Sequence, residues 1–198
     1  MQIRQLAIEG AFEITPDLHP DDRGVFTNPY VASAFTAAIG HPFAVAQTNH
    51  SVSRRGVVRG VHYALAPGQA KYVYCPHGSA LDVVVDIRVG SPTFGRYDVV
   101  GLDAESARAV YLAETLGHLL IALEDVTVAH YLCSTAYDPA REFAINPLDP
   151  ALGIELPAEG DAVLSERDRA APTLAQARER GLLPAYAGLV SADGPDAR

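Results

Sequence analysis

A chain of 198 residues that is 48% hydrophobic and 20% charged is long enough to bury a substantial core and fits one globular domain. Its net charge of -9 disfavours general nucleic-acid binding, so an anionic ligand needs a local arginine cluster, for which Arg23, Arg54, Arg55, Arg59 and Arg167 are candidates. No apolar run approaches the roughly 20 residues that span a bilayer, and Met1-Gln-Ile-Arg-Gln-Leu lacks the layout of a secretory signal, so the expected setting is cytoplasmic with no membrane contact.

In chain order, apolar alternation predicts strands over 2–8 and 11–15. Residues 31–39 read as a helix that Gly40 stops. Strands follow over 43–51, 56–63, 70–76, 80–88, 97–102, 107–112, 118–124 and 126–134, punctuated by Pro67-Gly68, His77-Gly78 and the 90–95 turn. Within 80–88, Leu81, Val83, Val85 and Ile87 share one face, and Asp82, Asp86 and Arg88 share the other. Near the end, Thr173-Leu-Ala-Gln176 has the form of a capping box, with Gly181 as terminator, which places a helix outside the strands. Residues 1–186 are expected to form one domain, and 187–198, small and polar, a frayed tail. Many short strands at near-regular spacing indicate a sandwich or barrel and not a βαβ sheet.

Chemistry concentrates in the 59–71 stretch. Lys71 is the sole lysine in a chain that otherwise uses arginine, and it lies nine residues after His62. An ammonium is compact and shifts its pKa on burial, unlike a guanidinium. Spacing alone favours a surface lysine beside a core histidine. Gln47 and Asn49 share a strand face, either as ligand-binding amides or as a solvated edge. Thr127, Ala129, Tyr131 and Cys133 share another face, where small residues beside a tyrosine mean a cavity or close strand packing. Arg59 and His62 have opposite parity, so both point inward only if the strand bulges at Gly60. Cys75 and Cys133 lack CxxC spacing and read as packed thiols. No metal site is expected: position 64, where an H-x-H pair would place its second histidine, is Ala64, and His41, His50, His77, His118 and His130 stand alone.

Taken in order, Asp22-Arg-Gly-Val-Phe26, Gln47-Thr-Asn49, Ser51-Val-Ser53, Gly56-Val-Val-Arg-Gly-Val-His62, Gln69-Ala-Lys71, Asp82-Val-Val-Val-Asp-Ile-Arg88, Ser91-Pro-Thr-Phe-Gly95, His118, Tyr131 with Tyr137, Asp149-Pro150 and Leu164-Ser-Glu-Arg-Asp168 resemble the dTDP-4-dehydrorhamnose 3,5-epimerase family. The resemblance runs from about residue 2 to 186, and the 51–60 and 149–153 segments look like the branch that makes deoxysugars for natural-product glycosides. It implies an all-β, cupin-type jelly-roll barrel (a double-stranded β-helix) with a few short peripheral helices, usually a homodimer, working without metal or other cofactor. The implied substrate is a TDP-linked 4-keto-6-deoxysugar, epimerised at C5, C3 or both through an enolate. By the same resemblance His62 is the base, Asp168 its orienting partner, Lys71 the cation at the C4 oxygen and Tyr131 the acid on the opposite face. Arg23, Arg59 and Arg167 would bind the diphosphate, and Gln47, Asn49 and Phe26 the nucleotide. Tyr137 would line the sugar or base site, and His118 would support the pocket. Two departures stand out. His118-Leu-Leu120 replaces a small residue and a phenylalanine, which is expected to reshape the sugar pocket or disturb His118, and Phe26-Thr-Asn-Pro29 lacks an acidic residue and an aromatic. Both point to a modified sugar. The competing readings are a non-catalytic sugar-nucleotide binder on the same barrel and a metal-dependent cupin.

Overall fold

The computed structural model describes residues 1–158 and 161–186; the expected tail over 187–198 lies outside the described residues. Among the described residues, thirteen strands run β1 (Gln2–Gln5), β2 (Ala11–Thr15), β3 (Leu18–Asp21), β4 (Gly24–Thr27), β5 (Gln47–Ser53), β6 (Val58–Ala64), β7 (Lys71–His77), β8 (Ser79–Val85), β9 (Tyr97–Asp103), β10 (Ala109–Leu112), β11 (Gly117–Ala122), β12 (Thr127–Cys133) and β13 (Glu142–Ala144). Three short helices accompany them: α1 (Ala32–Ile39), α2 (Glu166–Arg169) and α3 (Leu174–Glu179). A six-stranded sheet of order β1-β2-β10-β7-β12-β5 faces a five-stranded sheet of order β13-β6-β11-β8-β9, and β3 pairs β4 as a separate hairpin. The strand pairs within these sheets are antiparallel, in the crossed-over order of a jelly roll.

The alternation read from the sequence sorts side chains between three apolar layers. Val73, Cys75, Val84, Val100, Leu102, Val110 and Leu112 fill the space between the sheets. Val58, Val61, Tyr63, Val83, Val85, Leu119 and Ile121 point the other way from the five-stranded sheet and are covered by Leu152, Leu174 and Ala177. Ile14, Tyr72 and Tyr111, on the outside of the six-stranded sheet, are covered by Phe35 of α1 and by Phe43. Strands buried on both faces lose their polar alternation, which is why 118–124 reads as a plain apolar run.

The two helices expected from sequence are present. Gly40 ends α1 in the left-handed region at φ 93°. Thr173 and Gln176 form the reciprocal capping box of α3, a feature that contributes about 0.5–2 kcal/mol. Several bounds differ. The first strand stops at Gln5 and not at residue 8, because Ala7 turns to hydrogen-bond Asp98 Oδ2 at 2.8 Å and Leu6 and Ile8 drop into the core. The strand expected over 43–51 runs over Gln47–Ser53, since Phe43 packs on α1 and not in the sheet. The strand expected over 80–88 ends at Val85, where Asp86 leaves the ladder to hold Arg88, Ser91 and Thr93. The hairpin β3–β4, the short β13 and α2 lacked enough periodicity to be read as elements.

Candidate active site

The site begins at an irregularity in β6. His62 lies opposite His118 and Arg59 opposite Leu120, so three steps along β6 match two along β11. This bulge turns Arg59 and His62 to the same side while Val58 and Val61 remain outside. Gly60 makes it possible: its φ is 121°, and a Cβ there would collide with the His118 carbonyl oxygen. The bulge required by the sequence parity is therefore present.

His62 Nε2 lies 2.6 Å from Asp168 Oδ1. Asp168 sits on α2, whose N-cap Ser165 accepts the Asp168 N–H at 3.1 Å, and it is only 3% exposed. Burial pushes the Asp168 carboxyl up, but the His62 contact, Ser165 and the Gly60 backbone outweigh it and hold the carboxyl below its ordinary value. An ionised Asp168 accepts a hydrogen bond from Nε2–H, which leaves the lone pair on Nδ1. That nitrogen has no hydrogen-bond partner among the described residues, and the ring lines a cavity of about 400 Å³ together with Arg59, Arg167 and Leu164. Arg59 is steadied by Ser53 Oγ at 3.0 Å and Arg167 by the Glu142 carbonyl at 3.0 Å. Neither arginine forms an ion pair among the described residues, so both charges are available to an anion.

On the strand beside His62, His118 Nε2 contacts Asp82 Oδ2 at 2.7 Å, and the Tyr131 ring meets the His118 ring edge-on at 5.7 Å. The Tyr131 hydroxyl lies 3.2 Å from Ser51 Oγ on β5. Burial raises the Tyr131 pKa, so the phenol holds its proton at neutral pH. Two residues further along β12, Cys133 pairs across with Lys71 on β7. Lys71 is 6% exposed, and its ammonium makes no hydrogen bond or ion pair among the described residues. Burial pulls its pKa down, against the opposing pull of Glu142 and Cys133. On β5, Gln47 Nε2 donates to Asn49 Oδ1 at 2.7 Å, Gln47 Oε1 accepts the Tyr137 N–H at 2.8 Å, and Asn49 Nδ2 reaches Cys133 Sγ at 3.5 Å.

Residues 5–176 match the sequence profile of the family described as dTDP-4-dehydrorhamnose 3,5-epimerase. The chain belongs to that family. It is 50% identical over 188 residues to the dTDP-4-dehydrorhamnose 3,5-epimerase of Mycolicibacterium smegmatis, covering 94% of this chain and 92% of the relative. It superposes on the crystal structure of NovW, a 4-keto-6-deoxy sugar epimerase from the novobiocin biosynthetic gene cluster of Streptomyces spheroides, with a TM-score of 0.92, 53% identity and 94% coverage of each chain. It also superposes on ChmJ, a 3'-monoepimerase from Streptomyces bikiniensis in complex with dTDP-quinovose, with a TM-score of 0.89, 51% identity and coverage of 92% and 93%. The jelly roll is therefore that of an epimerase, and the reading as a non-catalytic binder gives way to an isomerase.

Of the residues singled out by sequence in this epimerase, Arg59, His62, Arg167 and Asp168 line one cavity, the Tyr131 ring meets His118, Gln47 joins Asn49 and Tyr137, and Asn49 reaches Cys133, which pairs across with Lys71. Arg23 and Phe26 do not join them. They sit on the β3–β4 hairpin, where every residue is exposed except half-buried Thr27; Phe26 is 63% exposed and, among the described residues, Arg23 pairs only with Asp21. The departure at 118–120 also resolves. Leu119 points outward into the layer beneath α3 and does not crowd the pocket, correcting the expectation that its bulk reshapes it. His118 keeps its carboxylate, so it is not disturbed. Leu120 does face inward and packs on Tyr131 with Ala80 and Ala129. Asp82 was missed. It shares a sequence face with Asp86 and Arg88, which bond one another and form a structural knot. The signal was available: an apolar Leu81-Val83-Val85 face that packs outward leaves Asp82 facing in. Ser51 was also missed as a separate residue, because one hydroxyl on a strand carries no pattern. Among the described residues no group of three or more His, Cys, Asp or Glu side chains converges to hold a metal ion, and no helix is long and apolar enough to cross a membrane.

Proposed function

We propose that this chain epimerises a TDP-linked 4-keto-6-deoxysugar at C3, C5 or both, within deoxysugar biosynthesis for a glycosylated natural product. The observation that carries the reading is a base, a cation and an acid on facing strands: His62 with a free Nδ1, unpaired Lys71, and protonated Tyr131. The ketone acidifies the neighbouring C–H bonds, because the enolate spreads the carbanion onto oxygen. His62 Nδ1 takes the proton, and Asp168 stabilises the resulting imidazolium. Lys71 stabilises the enolate oxygen, and Tyr131 returns a proton to the other face. His118, held by Asp82, supports the Tyr131 ring. The test is incubation with TDP-4-keto-6-deoxyglucose and reading of the ring-proton couplings by NMR. Changed ring-proton couplings that report inversion at C3, or the altered ring conformation that follows inversion at C5, support the reading; recovery of unchanged sugar contradicts it for this substrate.

Arg59 and Arg167 hold the diphosphate beside His62, and Gln47, Asn49 and Tyr137 shape the nucleotide and sugar end. Arg59→Ala is expected to weaken dTDP binding about tenfold or more at low salt, with the gap to wild type narrowing as salt rises. Calorimetry showing unchanged affinity would remove Arg59 from the phosphate site.

We further read residues 1–186 as one catalytic domain of a cytoplasmic homodimer. Supporting the dimer is the β3–β4 hairpin, which presents Leu18, Val25 and Phe26 to solvent and, among the described residues, pairs only with itself. A second copy would cover those side chains and bring Arg23 and Phe26 to its own nucleotide site. Mixing a His62→Ala chain with an Arg23→Ala chain is then expected to restore activity at low substrate, since one site of each mixed dimer has all its parts. No recovery after subunit exchange would place Arg23 in its own chain's site or outside any site.

A further inference from the structure

We infer that Ser51 is a positioning residue for the acid step: its hydroxyl donates to the Tyr131 oxygen, turns the Tyr131 proton toward the substrate, and stabilises the phenolate left when that proton is delivered. The inference rests on the reading of Tyr131 as the acid and adds the group that makes it competent.

The geometry supplies the argument. Tyr131 sits on β12 opposite Asn49 of β5, and Ser51 lies two residues along on the same inward face. Their oxygens are 3.2 Å apart, and the Tyr131 hydroxyl has no other hydrogen-bond partner among the described residues. The remaining surroundings of the ring are apolar or edge-on: Ala80, Leu120 and Ala129 on one side, and the His118 ring. Each hydroxyl has one hydrogen, so the direction of this bond decides the chemistry. If Tyr131 donated to Ser51, its proton would be engaged and turned away from the sugar. If Ser51 donates, the phenol proton is free to point into the barrel. Reprotonation then breaks the Tyr131 O–H bond, forms the C–H bond and leaves the phenolate. Ser51 keeps its own proton and donates a charge-assisted bond to that oxygen. The imidazolium of His62 and the phenolate of Tyr131 balance the two proton transfers, and exchange with water resets both.

Other groups facing Tyr131 do not serve this end. Asp82 opposes the phenolate by charge, and Arg59 favours it only through space, with no hydrogen bond from Arg59 to the Tyr131 oxygen among the described residues. Ser51 is therefore the donor within reach of the developing charge.

The test compares Ser51→Ala, Ser51→Thr and Tyr131→Phe on TDP-4-keto-6-deoxyglucose in D2O, following deuterium entry into recovered substrate separately from formation of the inverted sugar. A hydrogen bond to a charged group makes the expected loss of inversion rate in Ser51→Ala about tenfold or more. Deuterium entry by the His62 face should stay near wild type and KM should change little. Ser51→Thr, which keeps a donor at the same place, should recover most of the inversion rate. Unchanged inversion in Ser51→Ala, with Tyr131→Phe impaired, would overturn the role of Ser51 alone. A higher KM with unchanged turnover, or equal loss of exchange and inversion without rescue by threonine, would also overturn it and make Ser51 a ligand contact or a packing residue. If Tyr131→Phe inverts its substrate normally, the acid assignment itself is wrong and the inference falls with it.

Discussion

His62→Ala should abolish proton exchange at both C3 and C5 while leaving dTDP affinity nearly intact. A positioned base contributes about 10²–10⁴ to rate, and among the described residues no other imidazole lines the cavity with Arg59 and Arg167. The substitution removes one partner of Asp168, but the N-cap of α2 at Ser165 does not involve His62, so the helix that carries Arg167 should persist. Loss of turnover without loss of affinity is the pattern of a group used in the transition state and not in the ground state. Isothermal titration with dTDP, run beside the exchange assay, separates the two. Exchange at the wild-type rate in the variant would show that another group is the base.

Lys71→Met is expected to lower turnover about 10²–10³-fold, the usual consequence of losing one donor at a developing oxyanion. Lys71 is 6% exposed and its ammonium is unpaired, so the protein bears the cost of a buried cation that the fold does not use. Methionine has nearly the same shape and no charge, so the melting temperature should hold or rise while activity falls. That opposition separates a catalytic cation from a structural one. Burial lowers the Lys71 pKa, and the ammonium is needed in its charged form. Activity should therefore fall as pH rises through that lowered value. Lys71→Arg, which does not titrate in this range, should retain part of the activity and move the alkaline fall to higher pH. A Lys71→Met variant with wild-type turnover would remove Lys71 from the reaction.

The parts of this molecule that could be read from sequence are those where one physical rule acts alone. Alternation located the barrel strands, the Thr173–Gln176 capping box located α3, and Gly40 ended α1. The parity conflict between Arg59 and His62 required a bulge at Gly60, and the β6–β11 register contains it. His62, Asp168, Arg59 and Arg167 were found because the family motifs hold them, and the structure brings them to one cavity. What escaped depended on which way a sheet faces. Asp82 was placed only on a shared face with Asp86 and Arg88, because nothing in the sequence says that the apolar face of β8 packs outward under the C-terminal segment. Leu119 looked like an intrusion for the same reason. The β3–β4 hairpin escaped because its residues contact little within one chain, so no burial pattern marks them. Ser51 escaped because its meaning comes from a single contact across two strands.

In the proposed reaction His62 abstracts the proton and Tyr131 returns one through an enolate held by Lys71. The most direct measurement incubates the wild-type protein and His62→Ala with TDP-4-keto-6-deoxyglucose in D2O and follows C3 and C5 by NMR. Wild type should place deuterium at the carbon it inverts, and His62→Ala should place none above the uncatalysed rate. Inversion by wild type without deuterium entry, or equal entry in the two proteins, would contradict the mechanism.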